Sequence, residues 1–394
     1  MDRFLFPIIL YSLVTLAEPT VAEETIKFRM HRIDTARMEA CGVADFNNDG
    51  KLDIVAGEYL YLAPDWKRIK IREIQSNVDE QGKGYAHDFA NLPMDVDDDG
   101  FVDVVAVDWF SKKSVWFRNP GKEMANGGLW KEQLIDEQNG NFESADFWDV
   151  TGSGKADQIV PAVLRTVWYE KTAPGQFTVH VVSGKSMTWG NGVGDINGDG
   201  RPDFIRPQAW FEAPADIRNG VWKEHPLNFF GDEPEMKFRD TAQIHVLDVN
   251  KDGLPDLIVS AAHDYGLFWF EQVRNGDAIS WRKHEIDKSW SQAHAVTLAD
   301  LDGCGELEIV TGKRFMAHNG HDRGEFEPPG IYWYKAKRNG KDVAWEKHIV
   351  TYDEGVGIGM NIVVVDLNGD GRPDIVTTGK YGGPVWFENI GRVP

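Results

Sequence analysis

The sequence predicts an all-β protein, a seven-bladed β-propeller of four-stranded blades. Three observations support this fold class. An acidic turn that leads into an apolar strand occurs seven times, an aromatic strand follows each turn, and a strand of alternating polarity follows six of the aromatic strands. Many short strands with regularly spaced turns are typical of propellers, in which each repeat supplies one blade.

The acidic turn is the clearest repeated element, as in DINGDGRPDFI. Its seven copies begin at Asp45, Asp95, Asp149, Asp195, Asp248, Asp300 and Asp366. Counting from that first aspartate, oxygen-bearing side chains occupy positions one, three, five and nine, and a glycine at position six permits the sharp turn. This is the ligand pattern of a Ca²⁺ loop, because hard cations prefer carboxylate and amide oxygens.

Five copies of the turn are complete, and we expect about five structural Ca²⁺ sites. Their ligand sets are Asp45, Asn47, Asp49 and Asp53; Asp95, Asp97, Asp99 and Asp103; Asp195, Asn197, Asp199 and Asp203; Asp248, Asn250, Asp252 and Asp256; and Asp366, Asn368, Asp370 and Asp374. The third copy has Thr151 and Ser153, and the sixth has Cys304 and Glu308. We expect weak or no metal binding there. The alternative for all copies is a metal-free Asx-turn.

The outer strands indicate how the ring closes. The chain ends just after the aromatic strand VWFENIG, so the last repeat lacks its outer strand. A matching segment, IKFRMHRI, lies near the N-terminus at Ile26–Ile33. We therefore predict that the N-terminal strand completes the last blade, which leaves no free sheet edge.

Residues 1–22 have the features of a signal peptide, and residues 23–394 are predicted to form a single propeller domain. An apolar run follows Arg3, and Thr20, Val21 and Ala22 provide small residues before the cleavage point. We expect a secreted, periplasmic or cell-surface protein without a membrane span after cleavage. The net charge of −21 disfavours nucleic acid as a partner.

Strand direction predicts a candidate site on the face opposite the acidic turns. Residues before each inner strand and after each second strand meet there, at the mouth of the central channel. Six of the eleven histidines lie in or near these segments: His87, His245, His263, His294, His318 and His321. Other polar and aromatic residues predicted to join them are Glu39, Trp109, Glu143, Trp189, Asp264, Gln292, Lys313, Arg314, Lys380 and Tyr381. The remaining five histidines lie in outer strands and are expected to be structural.

The longest repeat interval places additional chain in blade six, at Gly312–Gly330. Long ordered loops are often functional. The spacing of His318 and His321 suits two imidazole ligands, and Asp322 or His294 would complete a second divalent metal site at the mouth. The alternative is a solvated loop whose histidines have no shared role.

Two resemblances follow from these motifs. The turns DINGDGRPDFI, DVNKDGLPDLIV and DLNGDGRPDIV resemble the FG-GAP/VCBS repeat family, whose calcium-loop propellers include integrin α heads. This resemblance implies the fold and the calcium, and covers nearly all of the chain after the signal peptide. The aromatic strands and the segment KRFMAHNGHD resemble the propeller domain of aldos-2-ulose dehydratase and exported bacterial relatives, although the cupin domains of that enzyme are absent.

The leading functional hypothesis is a carbohydrate lyase or dehydratase that works by β-elimination. His294 or His87 would be the base and Tyr381 the acid, while Lys313, Arg314, Lys380 or a metal would stabilise the enolate. Trp109 and Trp189 would stack on a sugar. The other substrate-binding residues would be Glu39, Glu143, His263, Asp264, Gln292, His318, His321 and Lys380.

Other functional classes remain open. A non-enzymatic module that binds carbohydrate or protein, as integrin heads do, needs the same aromatic and polar groups without a tuned base. A structural protein whose sole ligand is calcium needs none of them. A glycosidase using Glu39 and Glu143 also stays open, since the sequence does not give the distance between them.

Overall fold

The computed structural model describes residues 25–227, 229 and 240–393, so the predicted signal peptide lies outside the described residues. The described residues form 28 strands in seven four-stranded antiparallel sheets arranged in a ring, which confirms the predicted propeller. They include one 3₁₀ helix, Gly121–Asn126. No helix in this part of the chain is long and apolar enough to cross a membrane.

The strands are numbered in chain order from β1 (Thr25–Ala36), and each blade runs from its inner to its outer strand. Blade one contains β2 (Cys41–Ala44), β3 (Asp53–Ala56), β4 (Tyr59–Leu62) and β5 (Lys67–Lys70). Blade two contains β6 (Ala90–Met94), β7 (Asp103–Asp108), β8 (Lys113–Arg118) and β9 (Lys131–Asp136). Blade three contains β10 (Ser144–Trp148), β11 (Gln158–Ala162), β12 (Thr166–Ala173) and β13 (Gln176–Ser183).

The remaining blades repeat the same order. Blade four contains β14 (Gly192–Gly194), β15 (Asp203–Arg206), β16 (Ala209–Glu212) and β17 (Lys223–Pro226). Blade five contains β18 (His245–Leu247), β19 (Asp256–Ser260), β20 (Tyr265–Asn275) and β21 (Ala278–Ser291). Blade six contains β22 (Ala293–Ala299), β23 (Glu308–Lys313), β24 (Gly330–Asn339) and β25 (Asp342–Tyr352). Blade seven contains β26 (Val363–Val365), β27 (Asp374–Thr377), β28 (Gly383–Val393) and β1.

The ring closes as the sequence predicts. Strand β1 pairs antiparallel with β28, and the register places His31 opposite Trp386 and Arg29 opposite Glu388. Blade seven therefore takes its outer strand from the start of the described chain and its other three strands from the end.

The position-nine aspartates tie each acidic turn to its own blade. Asp203 accepts hydrogen bonds from the backbone N–H groups of Ile196, at the start of the turn, and Ala213, at the end of the third strand. The corresponding aspartates of the other four complete turns make the same two bonds. In blade three Gln158, one residue later than position nine, accepts the N–H of Val150 instead.

The five outer-strand histidines stack on the tryptophans of the adjacent third strands. Ring centroids lie 3.8–4.4 Å apart in all five pairs. In four blades the histidine also lies within hydrogen-bond distance of the glutamate two residues after the tryptophan, as His284 does with Glu271 at 2.7 Å. These contacts support the structural role expected for them.

Candidate functional site

Three side chains from three blades converge on the face opposite the acidic turns. Glu143 precedes β10, His263 lies between β19 and β20, and His294 lies in β22. One ligand atom of each lies within 4.8 Å of the others. Two imidazole nitrogens and a carboxylate oxygen at such distances form a donor set that suits divalent transition metals.

Asp322 contacts the imidazoles of two histidines, His263 and His318. Its carboxylate oxygens lie 3.1 Å from Nδ1 of His263 and 3.0 Å from Nδ1 of His318. Burial alone would raise the pKa of Asp322, but the hydrogen bonds from the two histidines lower the pKa below its usual range. The ionised carboxylate only accepts hydrogen bonds, so both histidines donate from Nδ1 and direct Nε2 away from Asp322.

The mouth of the channel holds more carboxyl groups than basic side chains. Nε2 of His263 lies 4.0 Å from Oδ2 of Asp240, so this imidazole has a carboxylate on each side. We name as the mouth cluster Glu39, Glu143, Asp240, His263, His294, Arg314, His318, Asp322, Glu325 and Lys380. Its five carboxyl groups outnumber Arg314, Lys380 and the adjacent Lys313 by two. A divalent cation would neutralise that excess.

Arg314 connects the imidazoles to the buried acids. Its Nη1 lies 2.9 Å from Nε2 of His294 and 3.5 Å from Glu143, and its Nη2 lies 3.3 Å from Glu39. The side chains of Arg314 and Glu39 are 2% and 0% exposed. Because a guanidinium only donates, Nε2 of His294 is the acceptor in this arrangement.

The protonation states of the central pair follow from these contacts. Burial and the adjacent Arg314 guanidinium lower the pKa of His294 to about 3. Burial would raise the pKa of Glu143, but His294 and Arg314 lower it to about 2. At neutral pH the imidazole is neutral and the carboxylate is ionised, which are the forms that bind a metal.

The two buried lysines hold the blade-six loop. Nζ of Lys313 donates to Oγ of Ser291 at 2.9 Å and to the carbonyl of Gly324. Nζ of Lys380 donates to the carbonyl of Met316 at 2.9 Å and lies 3.6 Å from Glu39. Burial lowers the pKa of each lysine to about 8. Their ammonium groups thus fix loop backbone beside the mouth cluster.

Two tryptophans flank the cluster. The rings of Trp109 and Trp189 lie 4.9 Å apart between centroids with planes inclined by 44°. The backbone N–H of Trp189 donates to Asp240, which joins the pair to the mouth cluster. Nε1 of Trp189 has no hydrogen-bond partner among the described residues.

Several residues of the predicted site lie outside the cluster. His87 stacks on Phe110 and lies 3.4 Å from Asp108, in a separate cleft of about 420 Å³. The hydroxyl of Tyr381 donates to Thr377, and burial raises the pKa of Tyr381. His321 is exposed and belongs to none of the groups of candidate metal ligands found among the described residues.

Asp264 and Gln292 lie beside the cluster rather than in it. Asp264 accepts a hydrogen bond from the N–H of Tyr265 and pairs with Arg323 at 3.0 Å. Gln292 has a φ of 64°, rare for a residue other than glycine, and its buried Oε1 has no hydrogen-bond partner among the described residues.

Sequence reasoning missed Asp240 and Glu325. Asp240 follows residues 230–239, where the repeat pattern gives no signal. Glu325 accepts the backbone N–H groups of His318 at 2.7 Å and Asp322 at 3.0 Å, so it shapes the loop that carries both. The density of acidic residues in the blade-six loop was the available signal for Glu325.

The acidic turn of blade two brings its carboxylates close together. Carboxylate oxygens of Asp95, Asp97 and Asp99 lie within 4.8 Å of one another. Burial, with repulsion from Asp97 and Asp99, raises the pKa of Asp103 to about 7. Asx-turn hydrogen bonds are also present, as from the N–H of Asp99 to Asp95. Those bonds fit either alternative, whereas the accumulated negative charge favours a cation.

Comparison with known proteins agrees with the fold. The FG-GAP repeat family matches residues 359–389. Virginiamycin B lyase from Staphylococcus aureus is 11% identical, with 92% of this chain and 100% of that chain covered and a TM-score of 0.50. A lectin of Agrocybe aegerita that recognises non-reducing terminal N-acetylglucosamine is 17% identical, with 90% and 86% covered and a TM-score of 0.48.

An exotype rhamnogalacturonan lyase is 11% identical, with 92% of this chain and 72% of that chain covered and a TM-score of 0.47. No curated protein sequence is significantly similar to the chain. At such identities the likeness between structures concerns the fold alone. The chain is a seven-bladed β-propeller that carries an FG-GAP repeat in its last blade.

Proposed function

We propose that the mouth cluster is a divalent-metal site at which the protein acts on carbohydrate. The observation that carries the proposal is the convergence of Glu143, His263 and His294, with Glu143 ionised and His294 neutral at neutral pH, beside more carboxyl groups than basic side chains. Asp322 supplies the carboxylate that orients a metal-binding imidazole in many metalloproteins.

Glu143, His263 and His294 would hold the metal, which when bound supplies a Lewis acid for a substrate oxygen. Nε2 of His294, which would bind the ion, lies 2.9 Å from Nη1 of Arg314 and accepts its hydrogen bond. Metal binding therefore requires Arg314 to give up that hydrogen bond and keep its contacts with Glu39 and Glu143.

The reaction we propose is β-elimination next to a carbonyl or carboxyl group of a sugar. His318 is 34% exposed and lies against His263, and the hydrogen bond from its Nδ1 to Asp322 leaves Nε2 as the basic nitrogen. In this proposal Nε2 takes the proton from the α-carbon, the β-carbon–oxygen bond breaks, and the imidazolium of His318 returns that proton to the leaving oxygen. Trp109 and Trp189 offer aromatic surface for the sugar ring.

The test is an ultraviolet scan for unsaturated product in the presence of added divalent metals. The purified chain with Ca²⁺ is incubated with Zn²⁺, Mn²⁺ or Co²⁺ and with uronate polysaccharides or keto-sugars such as anhydrofructose. We expect absorbance that is lost in His263→Ala and His318→Ala. His321→Ala is the matched control, because it removes an exposed histidine of the same loop. Equal activity in His263→Ala would contradict the proposal.

The binding module is the second candidate, and the pair of Trp109 and Trp189 beside the mouth cluster favours it, because aromatic rings offer contact surface to a ligand. Nε1 of Trp189 is one of several indole nitrogens without a hydrogen-bond partner among the described residues, and a ligand oxygen would satisfy it. In that case calorimetry would show sugar binding that weakens in Trp189→Phe, while no unsaturated product forms.

We also propose that the five complete acidic turns bind Ca²⁺ structurally. The convergent carboxylates of the blade-two turn and the shared ligand pattern of the other four support this. A mature chain exported by its N-terminal segment would meet the high Ca²⁺ concentrations at which extracellular modules are occupied. The Ca²⁺ ions would reduce the repulsion between carboxylates within each turn. They would take no part in the reaction proposed at the mouth cluster.

A further inference from the structure

The charge of one residue on the third strand varies among the seven blades, and it varies together with the residue at position three of the acidic turn. This position is two residues after the third-strand tryptophan, or after Leu60 in blade one. It is basic in blades two and six, as Arg118 and Lys335, and Leu62 in blade one. In the other blades it is Glu170, Glu212, Glu271 and Glu388.

Position three of the acidic turn changes with it. It is aspartate in blades two and six, as Asp97 and Asp302, and it is a neutral residue in every other blade: Asn47, Thr151, Asn197, Asn250 and Asn368. The structure gives the reason, because Arg118 contacts Asp97 and Lys335 contacts Asp302. A basic residue on the third strand is thus paired with an additional carboxylate in the turn.

In blade six the lysine reaches three of the four ligand positions. Nζ of Lys335 is hydrogen-bonded to Asp302 at position three, lies 3.5 Å from Sγ of Cys304 at position five, and lies 3.7 Å from Glu308 at position nine. The side chains of Asp302 and Glu308 are 5% and 1% exposed. The ammonium group therefore lies among the atoms that would surround a metal ion in a complete turn.

Blade two provides the internal comparison. Its turn carries four aspartates, and Arg118, whose side chain is 47% exposed, contacts those at positions three and five, with no ion pair to Asp103 at position nine among the described residues. The blade-six turn carries three carboxylates, and Lys335, whose side chain is 22% exposed, contacts two of them, Asp302 and Glu308. Arg392 also pairs with Asp302, at 3.1 Å. Cys304 replaces the position-five carboxylate, and a thiol is a poor ligand for hard cations.

We propose that Lys335 is the resident cation of the blade-six turn, so that its ammonium group takes the place of a metal ion. The turn keeps its shape without Ca²⁺ because the lysine neutralises the acids that the metal would otherwise bind. It follows that the chain contains a latent sixth site for a hard divalent cation, closed by two side chains.

The test opens that site. The variants are Cys304→Asp, Lys335→Glu and the double variant, which gives blade six the residues found at both positions in blades four, five and seven. Equilibrium dialysis against Ca²⁺ measures bound ions per chain at saturation. We expect the double variant to bind one ion more than the wild type and Cys304→Asp to gain none. An equal gain in Cys304→Asp, or no gain in the double variant, would overturn the proposal.

A second measurement needs no metal. In EDTA, Lys335→Met leaves the blade-six acids without their ammonium group and should lower Tm by roughly 2 °C or more. Lys335→Arg keeps the charge and should lose less. The matched control is Lys337→Met, on the same strand, where the lysine pairs with Glu346 at 3.0 Å near the surface. Equal Tm values for Lys335→Met and Lys337→Met would show that Lys335 does not neutralise the turn.

Discussion

Replacing Asp322 with asparagine should weaken metal binding at the mouth by about 10- to 100-fold, because one carboxylate orients two imidazoles. Asp322 accepts hydrogen bonds from Nδ1 of both His263 and His318 at about the same distance. An asparagine side chain has a single acceptor oxygen and an amide that donates. One imidazole must therefore change tautomer and place its hydrogen on Nε2.

The magnitude depends on which imidazole changes. If His263 changes, Nε2 is no longer a ligand, and if His318 changes, its basic nitrogen is lost while metal binding is preserved. The 10- to 100-fold loss of affinity expected if His263 changes corresponds to about 1.4–2.7 kcal/mol of metal-binding free energy. Since the side chain of Asp322 is 0% exposed, water does not replace the missing acceptor.

The assay is competition with a chromophoric chelator for Zn²⁺ or Co²⁺ at saturating Ca²⁺. Asp264→Asn is the matched control, because this nearly buried carboxylate lies next to the cluster but pairs with Arg323 rather than with histidine. We expect control and wild type to agree within about twofold. If Asp322→Asn also agrees with them while sugar turnover stays unchanged, the reasoning about the two imidazoles is refuted.

Three further predictions concern stability. Arg314→Met should cost about 3–5 kcal/mol in urea unfolding, because it strips the buried Glu39 of its guanidinium; an unchanged midpoint would contradict this. In the wild type, stability should rise from pH 8 towards 10.5, because burial lowers the folded pKa of Lys380 to about 8 and the unfolded chain binds more protons in that interval. Lys380→Met should flatten the rise, measured by urea unfolding between pH 8 and 9.5; an equally steep rise would count against it. Asp199→Ala should reduce the Ca²⁺-dependent increase in Tm by calorimetry, whereas Ser153→Ala, at the same position of a degraded turn, should leave it unchanged.

The fold was predictable because every blade repeats the same sequence elements. Acidic turn, aromatic strand and alternating strand recur in a fixed order, and the single displaced copy, β1, specifies where the ring closes. The dual character of the position-nine aspartate was not predictable. A residue type suited to bind Ca²⁺ is equally suited to accept the two backbone N–H groups that Asp203 accepts.

The sequence predicts on which face of the ring the site residues lie, but not which of them are in contact. Strand direction places His87, His263 and His294 on one face, yet the angular position of each blade around the ring decides which of them meet. His263 and His294 meet Glu143 from across the ring, whereas His87 pairs with Asp108 in its own blade. Asp240 follows a segment outside the repeats, so no periodic pattern indicated it.

Ring closure is a precondition of the mouth cluster. Arg314 of blade six reaches Glu39, which precedes blade one, and Lys380 of blade seven reaches the same carboxylate. These residues meet because β1 and β28 form one sheet. The two faces are separated by six residue steps, from His294 in β22 to Asp300 just after it, which is about 20 Å of extended strand. In our proposals, the five complete turns would bind a hard cation through oxygen ligands alone, and the nitrogen-containing mouth at that distance would bind a different metal independently. The turns would then stabilise the ring while the mouth kept its donor set for substrate.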